Sequence, residues 1–259
     1  MRRLLLALLL LSGTASSAWA EDKPESIKLC YEESEVYPWH LKDGTGLNVT
    51  LLGMVSEKLG VKLEFVAAPW RRCLADMEGG AVDGAVGASF IEERMVQGVY
   101  PTDAAGKPDP SRRIDDGGYR LFKPKDSNLG WDGKQFTNLT DVIATGPGYS
   151  VIDLLKQAGA TVDDGARGAD VILRKVLLGR AQAAALGAAD GEHLLKTVPE
   201  FGNAIEEYPV PLVEKAYYVM LSHQFVDANP GFAGSFWDTV ASVRDSAEYK
   251  QAEEDFLAK

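Results

Sequence analysis

In some segments of the chain the apolar positions recur with the period of a β-strand, and in others with the period of an α-helix. The two kinds of segment alternate along the chain. Residues 27–31 and 61–66 alternate as strands do, and residues 46–59 place their apolar positions on one helical face. A second helix over 69–77 leads to a strand of small residues over 82–89. The order strand, helix, strand, helix, strand predicts a parallel sheet covered by helices.

A second stretch of the chain repeats this order. Residues 142–144, 160–162 and 181–186 are predicted strands, and residues 150–158 and 169–178 are the predicted helices between them. We therefore predict two similar α/β units of about 90 residues, which fit the pattern better than one continuous sheet.

The remaining segments indicate how the chain passes between the two units. Residues 101–118 combine proline, glycine and charge, and we expect an exposed crossing loop that is too polar to bury. A strand over 216–221 and two amphipathic helices after it have no counterpart in the second unit, so we expect them to pack on the first. The predicted lobes are residues 21–112 with 213–259, and residues 113–212. Two crossings make a hinge that permits closure around a ligand.

The N-terminus predicts export. Arg2 and Arg3 precede an apolar run over 4–11, and residues 18–20 have the sequence Ala-Trp-Ala. These are the three parts of a cleaved secretory signal peptide ending at Ala20. The apolar run is far shorter than the ~20 residues of a membrane span. We expect a soluble bacterial protein in the periplasm.

Two cysteines are present, Cys30 and Cys73. An even pair in an oxidising compartment favours one disulfide bond. Two buried free thiols are the alternative, because both cysteines have apolar neighbours.

Charge excludes some partners. The chain has 27 Lys and Arg against 38 Asp and Glu, a net charge of −11. A surface this acidic repels phosphate backbones, and no basic run interrupts it, so we predict no nucleic-acid partner.

Enzyme signatures are not found in the sequence. It contains no HExxH, GxSxG, Walker A or CxxC motif. Glu32, Glu33, Glu35 and His40 offer metal-ligand atoms, but a solvated strand end explains them as well. We therefore predict no metal, no cofactor and no catalytic residue.

The strongest chemical signal is Arg94. The small-residue strand ends at Ser89, and ligands of open α/β sheets bind at the carboxyl ends of strands. A guanidinium one short turn later can hold a carboxylate through two hydrogen bonds, with the serine hydroxyl as a further donor. The alternative is a surface arginine paired with Glu92 or Glu93.

These features resemble the periplasmic solute-binding proteins of family 3, the group that binds polar amino acids. The resemblance covers most of the chain after the signal peptide and is closer in the first lobe. The matching features are the strand at 27–31, Tyr37-Pro38-Trp39, Gly46, Pro69-Trp70, the turn at 80–84, Ser89 with Arg94, Gly148-Tyr149-Ser150 and Gly179-Arg180.

The resemblance implies a type II periplasmic-binding-protein fold of two lobes, two sheets and a double-strand hinge. It also implies a ligand site in which the position of Arg94 clamps the carboxylate with help from Ser89. The other implied roles are Glu32 for the ligand ammonium, Trp39 and Trp70 for the pocket wall, and the loop with Tyr149 and Ser150 for the carboxylate. Core packing of the tryptophans and solvation of the glutamate are the alternatives.

The sequence departs from the family pattern in the second lobe. The strand over 181–186 is followed by Gly187, where the family usually has an aspartate that completes the ammonium site. Asp190 either replaces it or only caps the next helix, predicted over 191–197. Tyr149 replaces a small hydroxyl residue and narrows the pocket. The ligand is then an amino acid or a carboxylate that lacks the amine.

The predicted function is capture of a small carboxylate-bearing solute by a monomeric protein that delivers it to an inner-membrane ABC permease. Two alternatives stay open. One is a periplasmic sensor that docks on a membrane receptor, and the other is an exported enzyme resembling the cyclohexadienyl dehydratases.

Overall fold

A computed structural model describes residues 23–258, so the predicted signal peptide lies outside the described residues. In the described part of the chain, no helix has the length and apolar character needed to cross a membrane.

The first half of the chain forms the predicted parallel strands and helices. Strand β1 lies between β2 and β3 and is parallel to both. The first helix ends where Gly60 adopts a left-handed conformation with φ of 60° and its N–H donates to the carbonyl of Glu57. The elements are β1 (Ser26–Glu32), α1 (Leu47–Leu59), β2 (Lys62–Ala68), α2 (Trp70–Glu78), β3 (Gly84–Ser89) and a 3-10 helix (Glu92–Val96).

The middle of the chain repeats this arrangement with shorter elements. Strand β7 lies between β8 and β9 and is parallel to both. The elements are a 3-10 helix (Pro110–Arg112), β4 (Asp115–Pro124), β5 (Gly130–Trp131), β6 (Phe136–Thr137), β7 (Ile143–Ala144), α3 (Ile152–Gln157), β8 (Val162–Asp163), α4 (Ala169–Leu177), β9 (Ala183–Gly187), α5 (Ala188–Thr197), α6 (Pro199–Ala204) and β10 (Ile205–Glu207).

The C-terminal part returns to the first half, as predicted. It comprises β11 (Val213–Leu221), α7 (His223–Ala228), α8 (Phe232–Arg244) and α9 (Ala247–Leu257). Phe236 and Val240 of α8 lie in one buried cluster with Leu51 and Val55 of α1. Burial of this apolar face stabilises the association of the two ends of the chain.

Two long antiparallel strands connect the halves. Strand β11 pairs with β4 over residues 213–217 and with β3 over residues 217–221. Beyond this contact, β4 pairs with β9 and β10. The hydrogen-bonded order is β2-β1-β3-β11-β4-β9-β7-β8. The predicted pair of crossing strands is confirmed. The two strands pair with each other, so one nine-stranded sheet continues through the crossing, and the expectation of two separate sheets is wrong in this respect.

One prediction about the crossing segment is wrong. Residues 101–118 were expected to be exposed, but Ile114 and Asp115 are buried and β4 begins at Asp115. Pairing with β11 satisfies the backbone of these residues, and this lets a polar stretch enter the interior.

The cysteines form the predicted disulfide bond. Cys30 in β1 and Cys73 in α2 are bonded, with their Cα atoms 5.6 Å apart. Both are buried in a cluster that includes Trp70 and Leu74, and the bond joins the second helix to the central strand of the first half.

Candidate functional site

A cavity of about 370 Å³ lies between the two halves of the molecule. Glu32, Ser89 and Gly187 line it from the carboxyl ends of β1, β3 and β9. Residues of the two crossing strands, Asp115 and Tyr217 among them, also line it. Open α/β sheets bind ligands at this edge, so the cavity is the candidate ligand site.

Arg94 is buried in this cavity, with only 4% of its surface exposed. Its Nη1 donates to the carbonyl of Ser89 over 2.9 Å, and its Nη2 donates to the carbonyl of Gly148 over 2.8 Å. The guanidinium also lies 5.5 Å from the ring centre of Trp70. Within residues 23–258, no carboxylate forms an ion pair with it. The alternative of a surface arginine paired with Glu92 or Glu93 is therefore wrong.

Two serine hydroxyls meet beside this arginine. Ser89 of β3 and Ser150 before α3 share a hydrogen bond of 2.6 Å, and both are buried. The carbonyl of Ser89 also accepts from the Tyr100 hydroxyl over 2.9 Å. Helix α3 begins at Ile152, two residues later than predicted, so Ser150 precedes the helix.

Glu32 is buried, and its carboxylate accepts hydrogen bonds from two backbone N–H groups. Its carboxylate accepts from the N–H of Ser34 over 3.1 Å and from the N–H of Trp70, the first residue of α2, over 3.2 Å. Burial raises the pKa of Glu32, and these two hydrogen bonds oppose the rise. The carboxylate therefore caps α2 as well as lining the cavity.

Aromatic side chains form part of the wall. Trp39, Trp70 and Tyr149 all line the cavity, as do Tyr119 and Tyr217. Trp70 also belongs to the buried cluster around the disulfide bond. Its side chain therefore packs in the core and lines the cavity as well. Burial raises the pKa of Tyr149 well above its ordinary value, which keeps the phenol neutral and able to donate.

Asp190 lies in the first turn of α5 and lines the cavity. It does not cap this helix, which begins at Ala188. Its Oδ1 accepts from the N–H of Tyr37 in the first half, over 3.3 Å. Burial raises the pKa of Asp190 to about 7, and the nearby acids Glu35 and Asp170 add to the rise. Asp190 thus places a carboxyl group in the cavity lining one helical turn after Gly187.

The structure brings together all seven residues predicted for the ligand site. Six line the cavity, and Ser150 reaches it through its hydrogen bond to Ser89. Sequence reasoning missed Asn48 and Asp115, which line the cavity from α1 and β4. For Asp115 a sequence signal was present. Alternate residues of a strand share one face, and counting back in steps of two from Leu121 and Tyr119 places residue 115 on their face.

Carboxylates outnumber basic groups around the cavity. Arg94 and Arg120 are the arginines in its lining, and Arg120 pairs with Glu207 over 3.3 Å and with Glu214 over 2.6 Å. This excess of negative charge attracts cations to the cleft. The acidic residues of the lining are Glu32, Asp115, Asp116, Asp190, Glu192 and Glu214.

Solved structures of similar fold cover most of the described chain. The ligand-binding core of GluR0 from Nostoc punctiforme, in complex with L-glutamate, is 13% identical with a TM-score of 0.71 and covers 90% of this chain and 100% of its own. A histidine kinase sensor domain with similarity to periplasmic binding proteins is 16% identical with a TM-score of 0.70, and the coverages are 90% and 96%. The substrate-binding protein of an amino acid ABC transporter is 17% identical with a TM-score of 0.66, and the coverages are 90% and 100%.

Two lobes joined by paired crossing strands, with a polar cavity between them, define the class of hinged solute-binding folds. The family model for bacterial extracellular solute-binding proteins, family 3, matches residues 33–258, and the chain belongs to this family. A search of curated proteins finds no significant match to the sequence.

Proposed function

We propose that this protein binds a free α-amino acid between its lobes and that Arg94 holds the ligand carboxylate. The observation that supports this most is a buried guanidinium in the cavity with no carboxylate partner among residues 23–258. A buried charge without an opposite charge is costly, and an anionic ligand group offsets the cost.

The donors around Arg94 suit a carboxylate. A guanidinium has five N–H donors, and two of them are engaged with carbonyls. The hydroxyls of Ser89 and Ser150 add donors on the same side. Arg94 donates to the carbonyl of Ser89 in the first half and to the carbonyl of Gly148 in the second half. The arginine therefore also holds the cleft closed around the ligand.

Asp190 is the proposed partner of the ligand ammonium. It lines the cavity, and its single hydrogen bond from Tyr37 leaves acceptor positions for further donors. Glu32 is a weaker candidate because each of its two oxygens already accepts one backbone N–H, which leaves it fewer acceptor positions than Asp190 has. The position of Asp190 favours an amine-bearing ligand over a simple carboxylate.

The experiment is a titration of the mature protein with a panel of amino acids and amine-free carboxylates, followed by thermal unfolding and calorimetry. A ligand at 100 times its Kd adds about 2.7 kcal/mol, which raises the Tm by roughly 5 to 10 °C. Arg94→Ala is expected to weaken binding at least about 100-fold, because it leaves a buried carboxylate unpaired. Arg174→Ala is the matched control, since Arg174 pairs with Glu200 on the surface.

The variant Asp190→Asn distinguishes binding of an amino acid from binding of a carboxylate that lacks the amine. It should weaken an amino acid at least about 10-fold and leave the amine-free analogue unchanged. The proposal fails if no amino acid binds, or if Arg94→Ala binds as tightly as Arg174→Ala does.

We also propose that the protein is exported by the signal peptide, works in the periplasm as a monomer and delivers its ligand to an ABC permease. The division into residues 21–112 with 213–259 and residues 113–212 belongs to the same proposal, and the exchange of pairing partners along β4 and β11 supports it. N-terminal sequencing of the exported protein should begin at Glu21. Uptake of the bound amino acid by the source bacterium should depend on the gene.

A sensory role is the second candidate, because one similar structure is a histidine kinase sensor domain. Deletion of the gene would then leave uptake unchanged and abolish a transcriptional response to the same amino acid.

Catalysis is the third alternative, since Asp190 has a pKa of about 7 and can donate a proton near neutral pH. Incubation of the mature protein with prephenate should give no turnover if the protein is a binding protein.

A further inference from the structure

Among residues 23–258, three side chains of the cavity lining have a buried hydrogen-bonding atom without a partner. One is Nη1 of Arg120, and the other two belong to Asn48 and Asp115, which are in contact with each other. Asn48 and Asp115 are 4% and 7% exposed, and both line the cavity. Asn48 Nδ2 donates to Asp115 Oδ2 over 3.3 Å. Asn48 Oδ1 and Asp115 Oδ1 are buried, and within residues 23–258 neither has a hydrogen-bond partner. Buried acceptors of this kind are rare and costly, so a donor from outside the chain is expected to satisfy them.

A backbone hydrogen bond to the segment before α1 positions Asn48 beside the cavity. The N–H of Asn48 donates to the carbonyl of Trp39 over 2.9 Å. Gly46 makes this approach feasible, because a Cβ atom there would lie 2.4 Å from the same carbonyl oxygen. Asn48 therefore stands at the N-terminal end of α1 and faces the hinge strand that contains Asp115.

The unpartnered pair lies at a distance from Ser89, whose carbonyl accepts from Arg94, that a small ligand can span. Tyr217 of β11 is paired with Ser89 on one side and with Asp115 on the other. Paired residues of neighbouring strands project their side chains to the same face. Two strand spacings separate the Cα atoms of Ser89 and Asp115 by roughly 10 Å. An anion site and a pair of acceptors thus lie on the same side of the sheet, one on each side of Tyr217.

The charge around Asp115 favours a cation. Burial raises the pKa of Asp115 to about 7; the hydrogen bond from Asn48 opposes the rise, and Asp116 and Glu253 add to it. Arg113 lowers the pKa of Asp115, but its guanidinium is itself paired with Asp116 over 2.5 Å. The phenols of Tyr217 and Tyr249 also face this carboxyl group, and their raised pKa values keep them neutral. A ligand group that brings positive charge and N–H donors offsets both the burial and the repulsion.

We infer that Asp115 and Asn48 form a second ligand subsite that accepts the N–H donors of a cationic group, so that the ligand is an amino acid with a positively charged side chain. The inference rests on the proposed function, because the carboxylate must be held at Arg94 for the side chain to extend toward Asp115. In L-lysine, six bonds separate the carboxylate carbon from the ε-nitrogen, about 7 Å when extended. The Cα atoms of Ser89 and Asp115 are roughly 10 Å apart, and the side chains at the two sites extend into this separation. An extended lysine side chain of about 7 Å is therefore long enough to reach from one site to the other.

The test is calorimetry at pH 8, where Asp115 is ionised, with L-lysine, L-arginine and L-norleucine. L-norleucine has the aliphatic chain of L-lysine without the ε-ammonium group. The unsubstituted protein is expected to prefer L-lysine or L-arginine to L-norleucine by roughly 10- to 100-fold. Asp115→Asn should remove this preference and change the Kd of L-norleucine less than about 3-fold. Asp227→Asn, at an exposed position of α7, is the control for net charge.

A second variant protects the test against misfolding of the first. Asn48→Ala keeps the carboxylate and removes the unpartnered amide oxygen, and it should weaken the preferred cationic amino acid roughly 10-fold. Circular dichroism checks that both variants are folded.

The possible results separate this inference from the proposed function. If L-norleucine binds as tightly as L-lysine and L-arginine, or if Asp115→Asn retains the preference for the cation, the inference is overturned while amino-acid binding stands. If none of the three amino acids binds but a larger panel contains an amine-free ligand, both fail. Equal weakening by Asp227→Asn and Asp115→Asn overturns the subsite and leaves only a general charge effect.

Discussion

At the scale of single residues, Asp115 and Asp190 oppose folding at high pH when no ligand is bound. Each has a pKa of about 7 because of burial, against about 3.9 in an unfolded chain. Between these values the folded state binds more protons than the unfolded state. The contribution of each group to stability is therefore largest at low pH and declines as the pH rises from about 4 to about 7.

The first prediction concerns Asp115→Asn without ligand. At pH 4.5 the variant should match the unsubstituted protein within about 1 kcal/mol, because the aspartate is largely protonated in the folded state. At pH 8 the variant should be more stable, by up to about 4 kcal/mol. Urea unfolding at the two pH values measures this difference. A difference that is independent of pH would show that Asp115 is not the titrating group.

The second prediction concerns Glu32, for which the resemblance and the geometry suggest different roles. Glu32→Ala removes the acceptor for the N–H groups of Ser34 and Trp70. It should lower the free energy of unfolding by about 1 to 2 kcal/mol and weaken amino-acid binding less than about 5-fold. Urea unfolding and calorimetry measure the two effects, with Glu25→Ala at an exposed position as control. A large loss of affinity with unchanged stability would support contact with the ligand ammonium instead.

At the scale of elements, the disulfide bond fixes α2 against β1, and α2 presents Trp70 to the cavity. The third prediction is that Cys30→Ala with Cys73→Ala lowers the free energy of unfolding by roughly 2 to 4 kcal/mol, since the bond closes a loop of 43 residues. Urea unfolding measures the loss. Dithiothreitol should destabilise the unsubstituted protein similarly and leave the double variant unchanged. An effect of the reductant on the double variant would contradict this explanation.

Long elements were more predictable than short ones. Helices α1 and α2 begin and end within one residue of the predicted limits, because a glycine follows each and several turns reveal the periodicity. The short helices α6 and α7 and the strand β10 were not predicted. Elements this short contain too few residues to show the apolar periodicity of a helix or a strand. Their structure depends on the residues that pack against them from elsewhere in the chain.

At the scale of the whole molecule, ion pairs connect the two halves across the cleft. Arg71 pairs with Asp164, and Arg167 pairs with Glu33 over 3.0 Å. These pairs are exposed, and each such pair contributes about 0.2 to 1 kcal/mol. Because the two lobes share only the crossing strands as a covalent link, these small contributions shift the balance between open and closed forms.

The fourth prediction follows from this balance. Arg71→Ala with Arg167→Ala should weaken ligand binding by roughly 2- to 10-fold, and added salt should reduce the difference from the unsubstituted protein. Small-angle scattering should show a more open molecule without ligand. Calorimetry compares this variant with Arg112→Ala and Arg174→Ala, whose ion pairs lie within one half. Equal weakening by the control pair would contradict a role in closure.

The sequence by itself determined the order of the longer strands and helices, the repeat of the α/β unit and the placement of Arg94 after Ser89, and it favoured the disulfide pair. These features depend on local periods, on short spacings and on residue type. Only the tertiary structure decided which polar groups became buried and what they meet. Asn48 meets Asp115 across 67 residues, and Asp190 meets Tyr37 across 153. Desolvation and pairing depend on these distant contacts, so no local pattern contains them.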